Sequence, residues 1–291
     1  MSVTQLNRCL ILGAGALGIK LGLQLQQVGH EVIGIRRNPS RIPPGLTGVA
    51  GDLSDPAGLT SIWRRHLPPD GGELCLILTP DGGTEAAYRR TFVEGLVNVV
   101  ESLRVADRRP HVTFVSSTSV FGDLEGEVNE LSAVAPKAPG AKILWQAEQW
   151  LAGQDLKLTR VRFSGIYGPS RLRLIDNVRA GLVPGVANAP TNRIHEDDCV
   201  GLLRCIVRSA QAGLAVPGLI HGTDEDQATL GQVCAYIARK LELPLPAFDG
   251  VPSRRGGRRW VNSLGIDALG YQLLYPDHQS GYQQVLSTLP R

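Results

Sequence analysis

The chain has 291 residues, of which 43% are hydrophobic and 20% charged, and its formal net charge is +3 at pH 7. This composition excludes an intrinsically disordered, collagen-like or disulfide-scaffold protein. The length predicts about two domains at roughly 150 residues each, and no apolar run approaches the roughly 20 residues that a membrane-spanning helix needs.

The patterns of cysteine and of basic residues indicate the compartment and the partners. The number of cysteines is odd, and their spacing matches no zinc-binding pattern. Both features predict reduced, mostly buried thiols in a cytoplasmic protein without a metal site. The basic stretch 254–260 is too short for a nucleic-acid-binding surface. We therefore expect a small-molecule substrate, no nucleic acid, no membrane, and a monomer or homodimer. The cysteines are Cys9, Cys75, Cys199, Cys205 and Cys234.

Short apolar runs alternate with helical patterns through the first 165 residues. Most of these runs are continuous rather than alternating, as in strands that are buried on both faces of a parallel sheet. The alternation of strands and helices predicts an α/β fold with a doubly wound, Rossmann-like parallel sheet. The predicted strands are Arg8–Leu12, Val32–Ile35, Thr47–Ala50, Leu74–Leu78, Val112–Ser116 and Lys157–Arg162, and the predicted helices are Ala16–Val28, Pro56–His66, Thr84–Val105 and Pro139–Ala152.

A glycine-rich segment connects the first strand to the first helix. Residues 13–18 read G-A-G-A-L-G, a G-x-G-x-x-G motif in the context that the motif requires. Gly13 permits a tight turn, Gly15 lets a pyrophosphate approach the backbone, and Gly18 lets helix and strand pack closely. The helix N-terminus at Ala16 and Leu17 adds free N–H donors and a partial positive charge. The segment predicts dinucleotide binding; the alternative is a glycine-rich turn that holds no ligand.

The end of the second strand indicates which dinucleotide binds. An acidic residue there would hydrogen-bond the adenosine ribose of NAD. This chain has Arg36 and Arg37 instead, and a guanidinium pairs with the 2′-phosphate that a carboxylate would repel. We predict NADP, with NAD as the alternative if both arginines are merely exposed.

The Asp52-Leu53 pair follows the short third strand. It could reach the adenine amino group. Alternatively, Asp52, Ser54 or Asp55 caps the following helix, which begins with Pro56.

Three later segments carry a resemblance to a known family. They read V-S-S-T-S-V-F-G at 115–122, R-F-S-G-I-Y-G-P at 162–169 and N-R-I-H-E-D-D at 192–198. With the glycine loop and Asp52-Leu53, they make most of the chain resemble the extended short-chain dehydrogenase/reductase family, the NAD-dependent epimerase/dehydratase group.

The resemblance implies further site residues. Ser117 matches the family's active-site serine or threonine, whose hydroxyl would hydrogen-bond a substrate carbonyl or alcohol. Thr79 and Pro80 would line the cofactor trough. Ser116 and Ile166 would also belong to the cofactor site, with Ile166 beside the nicotinamide.

The proton-transfer pair of the family, Tyr-x-x-x-Lys, is where this chain departs from the pattern. Aligning Glu148 with the family's glutamate places Gly140 at the tyrosine position and Leu144 at the lysine position. Both chemical groups are therefore missing. Lys142 lies two residues from Leu144, about 200° around a helix, and should face the other way.

Tyr167 and His195 are the candidates from other segments to replace that pair. Each has a structural alternative. Tyr167 follows a strand and could be a packing aromatic, and His195 could be a hydrogen-bonded loop residue.

The pattern of elements changes after Gly168-Pro169, where strand signals become sparse. Helices are predicted at Glu196–Ser209 and Thr229–Leu241. The predicted domains are a dinucleotide-binding domain, 1–168 with 191–222 returning to it, and a smaller C-terminal α+β substrate-binding lobe, 169–190 and 223–291.

Two functions from different classes fit these features. The first is an NADP-dependent oxidoreductase or epimerase/dehydratase-like enzyme that acts on a hydroxyl or carbonyl of a small molecule, such as a sugar or nucleotide sugar. The second is a non-enzymatic NADP-binding sensor or interaction protein on the same scaffold. Retention of Ser117 favours the enzyme, and loss of the tyrosine and lysine favours the sensor.

Overall fold

The computed structural model describes residues 7–251 and 258–289, so Arg254 and Arg255 of the basic stretch 254–260 lie outside the described residues. Thirteen strands are found in the described part, several of them only two or three residues long. They are β1 (Arg8–Leu12), β2 (Glu31–Arg36), β3 (Thr47–Ala50), β4 (Asp70–Leu76), β5 (Arg109–Ser117), β6 (Gly126–Val128), β7 (Lys157–Phe163), β8 (Gly165–Tyr167), β9 (Leu182–Val183), β10 (Arg193–His195), β11 (Leu219–Gly222), β12 (Ala247–Phe248) and β13 (Arg259–Val261).

Seven strands form the main sheet, in the order β3-β2-β1-β4-β5-β7-β11. β1 pairs in parallel with β2 on one side and β4 on the other, so that Leu10 lies beside Ile33 and Leu74. All three side chains are buried, which explains the continuous apolar runs. The order reverses between β1 and β4, and the predicted doubly wound, Rossmann-like sheet is confirmed.

The helices follow the predicted pattern closely through residue 152. α2 begins at Pro56 behind its cap Asp55, whose carboxylate accepts a hydrogen bond from the Gly58 N–H. It buries Leu59, Ile62 and Trp63 on one face. The helices are α1 (Ala16–Gln27), α2 (Pro56–His66), α3 (Glu85–Arg89), α4 (Gly95–Ala106), α5 (Pro139–Ala152), α6 (Arg173–Arg179), α7 (Glu196–Gln211), α8 (Leu230–Lys240), α9 (Gly265–Leu269) and α10 (His278–Ser287).

A π-helical turn, Arg90–Glu94, joins α3 to α4. The predicted helix over Thr84–Val105 therefore covers nearly the same residues as the observed helical segment, but this segment is not one continuous α-helix. Thr84 caps the helix, because its hydroxyl accepts a hydrogen bond from the Ala87 N–H at 3.2 Å. π-Helical turns occur often at functional sites, and this one carries residues that line the groove described below.

The chain divides into two compact units. The first unit contains the described residues up to Ser116, with Lys142–Val161 and Val200–Leu219; the second contains Ser117–Ala141, Arg162–Cys199 and the described residues from Ile220 onward. This grouping does not decide which residues form functional domains, so the domain boundaries given above stay a prediction.

The second unit is built from short parallel strand pairs and helices. β8 pairs with β10, β9 with β12, and β6 with β13. Its hydrophobic core includes Tyr167, Ile175, Val183, Ile237 and Tyr282.

The cysteines are free thiols, four buried and one, Cys205, half-buried. The neighbouring Cys75 thiol, 3.9 Å away, and burial raise the pKa of Cys9, so the Cys9 thiol is unreactive at neutral pH. Within the described ranges, no helix combines the length and the apolar character needed to cross a membrane.

Candidate functional site

A groove of about 850 Å³ lies in the first unit, among the segments that follow β1, β2, β3 and β4. Ligands of open α/β sheets bind at this edge, outside the carboxyl ends of the strands. The groove collects most of the residues predicted to hold a cofactor. Those that line it are Gly13, Gly15, Arg36, Arg37, Asp52, Leu53, Thr79 and Pro80, whereas Ala16, Leu17, Gly18, Ser116 and Ile166 are not among its lining residues.

Gly13 is required by backbone geometry. It has φ +88°, and a Cβ there would collide with the Ile77 carbonyl group of the segment after β4. Gly18 is required by helix packing, because a Cβ would stand 2.9 Å from Ile11 Cγ2. Both glycines are therefore fixed by the fold itself.

Gly15 is different, because nothing in the protein fills the space beside it. A Cβ there would meet no atom nearer than the Gly13 carbonyl oxygen at 3.9 Å. Gly15 also caps α1 without a side-chain hydrogen bond, so the first-turn N–H groups lack a side-chain cap. A diphosphate fits this arrangement of open space, N–H donors and helix dipole.

The two arginines after β2 have different partners. The Arg36 guanidinium donates to the Ala14 carbonyl at 3.2 Å and so ties the end of β2 to the glycine loop. The Arg37 guanidinium donates through both terminal nitrogens to the Asp81 carboxylate, at 2.7 and 2.6 Å. Both arginines face the groove.

Asp52 does not cap α2, since Asp55 does. The Asp52 carboxylate accepts hydrogen bonds from the N–H and the hydroxyl of Ser54, each at 2.8 Å. These bonds lower the pKa of Asp52. Its contact with adenine stays a prediction.

Several residues that line the groove were not predicted from the sequence as site residues. Asp81 follows Thr79 and Pro80 directly. Arg90 lies in the π-helical turn and Asn98 on α4, where its amide donates to the Leu53 carbonyl at 2.7 Å. Helical periodicity identifies that face of the helix but not the surface it meets, so the sequence held no signal for these two.

Ser116 is buried and donates its hydroxyl proton to the Glu148 carboxylate on α5. Its hydroxyl is thus engaged inside the first unit. Ile166, on β8 in the second unit, is half-buried and pairs with Ile194. The cofactor contacts predicted for both residues stay predictions.

Ser117 is the last residue of β5 and is half-buried. Its hydroxyl oxygen accepts a hydrogen bond from the Ser119 N–H at 3.1 Å. That bond fixes the side chain and leaves the hydroxyl proton to be donated elsewhere. Ser117 is not among the lining residues of the groove, and its contact with a substrate oxygen stays a prediction.

Tyr167 lies in the core of the second unit. Its ring stacks on Tyr282 with 4.5 Å between centroids, and its hydroxyl is buried against Gly281. Burial raises the pKa of Tyr167 well above its ordinary value, so the phenol cannot accept or release a proton readily near neutral pH. These surroundings favour the packing alternative, and the catalytic role stays a prediction.

His195 is fully buried and both ring nitrogens are engaged. Nδ1 accepts from the Asp197 N–H at 3.1 Å, and Nε2 lies 3.1 Å from Gln284 Oε1. This pattern assigns the proton to Nε2. Burial lowers the pKa of His195, which keeps the ring neutral. The hydrogen-bonded structural alternative is favoured, and proton transfer by His195 stays a prediction.

A sequence model of the NAD dependent epimerase/dehydratase family matches residues 9–211, more than half of the chain. This chain belongs to that family. The predicted resemblance is thereby confirmed.

The chain is similar to a curated protein and to two solved structures, among others. Protein YeeZ of Escherichia coli (strain K12) is 24% identical over 285 residues, which cover 94% of this chain and 97% of YeeZ. A solved structure from Methylobacillus flagellatus, described as that of an NAD-dependent epimerase/dehydratase, is 31% identical to this chain and has a TM-score of 0.79. The match covers 97% of this chain and 98% of that chain. MoeE5, solved in complex with UDP-glucose and NAD, is 20% identical with a TM-score of 0.80 over 97% and 98% of the two chains, a likeness of fold.

The two positions at which the resemblance predicts the tyrosine and the lysine of Tyr-x-x-x-Lys are Gly140 and Leu144. Both predicted positions lie on α5. Leu144 is buried, whereas Lys142 is exposed, as its offset of two residues predicted. Lys142 therefore does not replace the lysine at the Leu144 position.

Proposed function

We propose that the protein binds NADP(H) in the groove of the first unit. The open space beside Gly15, next to the arginines that follow β2, supports this most directly. The loop amides and the start of α1 would hold the pyrophosphate. Arg36 and Arg37 would pair with the 2′-phosphate, Asp52 and Leu53 would lie at the adenine, and Thr79 and Pro80 would line the trough.

We further propose that the protein is an oxidoreductase or an epimerase/dehydratase-like enzyme. Its substrate would carry a hydroxyl or carbonyl group on a small molecule, in the class of sugars and nucleotide-linked sugars. The bound nicotinamide would accept a hydride from the substrate and, in an epimerase, return it. Ser117 would donate a hydrogen bond to the substrate oxygen, which its fixed hydroxyl suits. Family membership and the naming of MoeE5 with UDP-glucose support the substrate class.

A second candidate function is an NADP-binding sensor or interaction protein without turnover. Two features favour it: a buried leucine, Leu144, stands where the resemblance predicts the lysine, and Tyr167 and His195 are buried. No proton acceptor with a pKa near neutrality is evident among these side chains. Such an acceptor contributes about 10²–10⁴ to the rate of this kind of reaction.

The cofactor is tested by titrating the protein with NADPH and NADH. We expect NADPH to bind more tightly, and we expect the double variant Arg36→Ala/Arg37→Ala to lose most of that preference, about tenfold to a hundredfold. The matched control is Arg89→Ala/Arg104→Ala, which removes two exposed arginines that do not line the groove. Equal affinities for the two cofactors in the unmodified protein contradict the proposal.

Turnover separates the two functions. Sugars, nucleotide sugars and small alcohols are screened with NADP⁺ for a change in nicotinamide absorbance. With an active substrate, kcat is compared for Ser117→Ala, Tyr167→Phe and His195→Gln. A loss of at least about tenfold for Ser117→Ala supports the enzyme, and an equal loss for Tyr167→Phe or His195→Gln identifies that residue as the proton-transfer group. Cofactor binding without turnover of any substrate favours the sensor.

A further inference from the structure

An ion pair stands at the rim of the cofactor groove. Arg37 and Asp81 both line the groove, and they share two hydrogen bonds, of 2.7 and 2.6 Å, in a bidentate arrangement. Each side chain is 63% exposed, so packing does not explain the pair. The carboxylate accepts one hydrogen bond from each of the two terminal guanidinium nitrogens.

The position of the pair follows from the sheet order. Arg37 follows β2, and Asp81 lies beyond the end of β4. β1 lies between these two strands, and the glycine loop follows β1. The pair therefore bridges the segments on either side of the glycine loop, across roughly 10 Å at two strand spacings.

Asp81 is held in place by its own backbone. The next residue, Gly82, donates its N–H to the Pro80 carbonyl at 2.8 Å, which closes a tight turn around Asp81. Gly82 has φ +98°, a conformation that suits glycine. The carboxylate is thus presented from an ordered turn, whereas Arg37 reaches it with a long side chain.

The Asp81 carboxylate is negatively charged, as a phosphate is, and so would compete with a phosphate for Arg37. A 2′-phosphate on the ribose would compete with the Asp81 carboxylate for the N–H donors of Arg37, because a guanidinium pairs with either anion in the same bidentate way. The hydrogen bond from Arg37 lowers the pKa of Asp81, so the carboxylate is ionised at neutral pH. Asp52 is a second carboxylate in the groove, but its hydrogen bonds come from Ser54.

We propose that Asp81 is a specificity-determining residue of the groove, which weakens NADP(H) binding relative to NAD(H) by holding Arg37 and by repelling the 2′-phosphate. This inference rests on the proposed binding of NADP(H) in the groove. It predicts that the unmodified protein binds NADPH less tightly than its arginines allow.

The test measures dissociation constants for NADPH and NADH by fluorescence titration. We expect Asp81→Asn to tighten NADPH binding about three- to tenfold, because an exposed ion pair and a nearby repulsive charge are removed. NADH binding should change less than about twofold. In an Arg37→Gln background, Asp81→Asn should give a smaller gain, since only the repulsion remains to be relieved.

The matched control is Glu85→Gln. It removes the carboxylate of another exposed pair, Arg89–Glu85, that does not line the groove, and neither dissociation constant should change. If Asp81→Asn changes the dissociation constants of NADPH and NADH equally, or changes neither, the inference about Asp81 is wrong. The proposed binding of NADP(H) still stands in that case, provided that the unmodified protein prefers NADPH and that this preference depends on Arg37. A protein that binds neither cofactor overturns both.

Discussion

The three glycines of the loop are needed for different physical reasons. Gly13 has no room for a side chain because the Ile77 carbonyl lies against it, and Gly18 has none because Ile11 does. Changing either residue disturbs the protein itself. Gly15 borders open space instead, so a side chain there would be accommodated by the folded protein and would obstruct a ligand.

Gly15→Val separates binding from folding. We expect loss of dinucleotide binding, because the branched side chain would occupy the approach of the pyrophosphate to the backbone. The melting temperature should fall by less than about 3 °C, because nothing in the protein is displaced. Binding is measured by titration with NADPH and folding by thermal denaturation.

Gly83→Val is the control for that variant. Gly83 also borders open space, yet it does not line the groove, so affinity should be unchanged. Wild-type affinity in Gly15→Val would show that the dinucleotide does not lie on this loop.

At the scale of residues, sequence patterns predict only some of the residues in the candidate site. Gly13, Gly15, Arg36 and Arg37 were predictable because a motif and a strand end fix where they lie. The Arg37–Asp81 pair was not, because it joins residues 44 positions apart through sheet order rather than sequence spacing.

At the scale of elements, a buried arginine supports the turn that follows Ser117. Arg259, on β13, donates from Nη2 to the Thr118 carbonyl at 2.8 Å and from Nη1 to the Gly122 carbonyl. Its guanidinium lies 5.6 Å from the centre of the Phe121 ring. The short helical turn Thr118–Phe121 thus has both ends bonded to one side chain.

Arg259→Met tests this support. The methionine keeps an apolar stem but leaves two buried carbonyls without their donor, which should cost about 1–3 kcal/mol of unfolding free energy. That corresponds to a lower melting temperature by roughly 2–10 °C, measured by circular dichroism.

Arg258→Met is the neighbouring control. Arg258 is exposed and pairs with Glu125, also exposed, so its replacement should shift the melting temperature by less than about 2 °C. Equal shifts in the two variants would contradict a supporting role for Arg259.

Elements differ in how far the sequence predicts them. β1 and β3 and the helices α2 and α5 were predicted at their observed bounds, because apolar runs, a Pro56 start and helical periodicity mark them. The strand β11 and the helix α10 were missed. α10, with the sequence H-Q-S-G-Y-Q-Q-V-L-S, has too few apolar residues to show a pattern.

At the scale of the whole molecule, the fold buries an ionisable group whose effect on stability the sequence pattern does not reveal. Asp224, in the second unit, is 5% exposed. Burial raises its pKa well above the ordinary value, and nearby Asp226 and Asp277 act in the same direction, whereas Arg193 opposes them. The hydropathy of a single aspartate cannot indicate this, because the effect arises from the fold that encloses it.

The direction of the pKa shift determines its effect on stability. A carboxyl group with a raised pKa binds its proton more tightly in the folded state than in the unfolded state. Its contribution to stability is therefore fully present below the unfolded pKa, about 3.9. That contribution is lost as the pH rises from there through the folded pKa.

Asp224→Asn should remove this pH dependence, because the amide keeps the shape of the side chain and does not ionise. We expect the melting temperature of the variant, relative to the unmodified protein, to rise as the pH is raised from 4.5, and to level off once the buried carboxyl group is ionised. The exposed residue Asp267 provides the control, since Asp267→Asn should follow the unmodified protein across the range. If the melting temperature of Asp224→Asn minus that of the unmodified protein stays constant or falls as the pH rises from 4.5, the pKa of Asp224 is not raised in the folded protein.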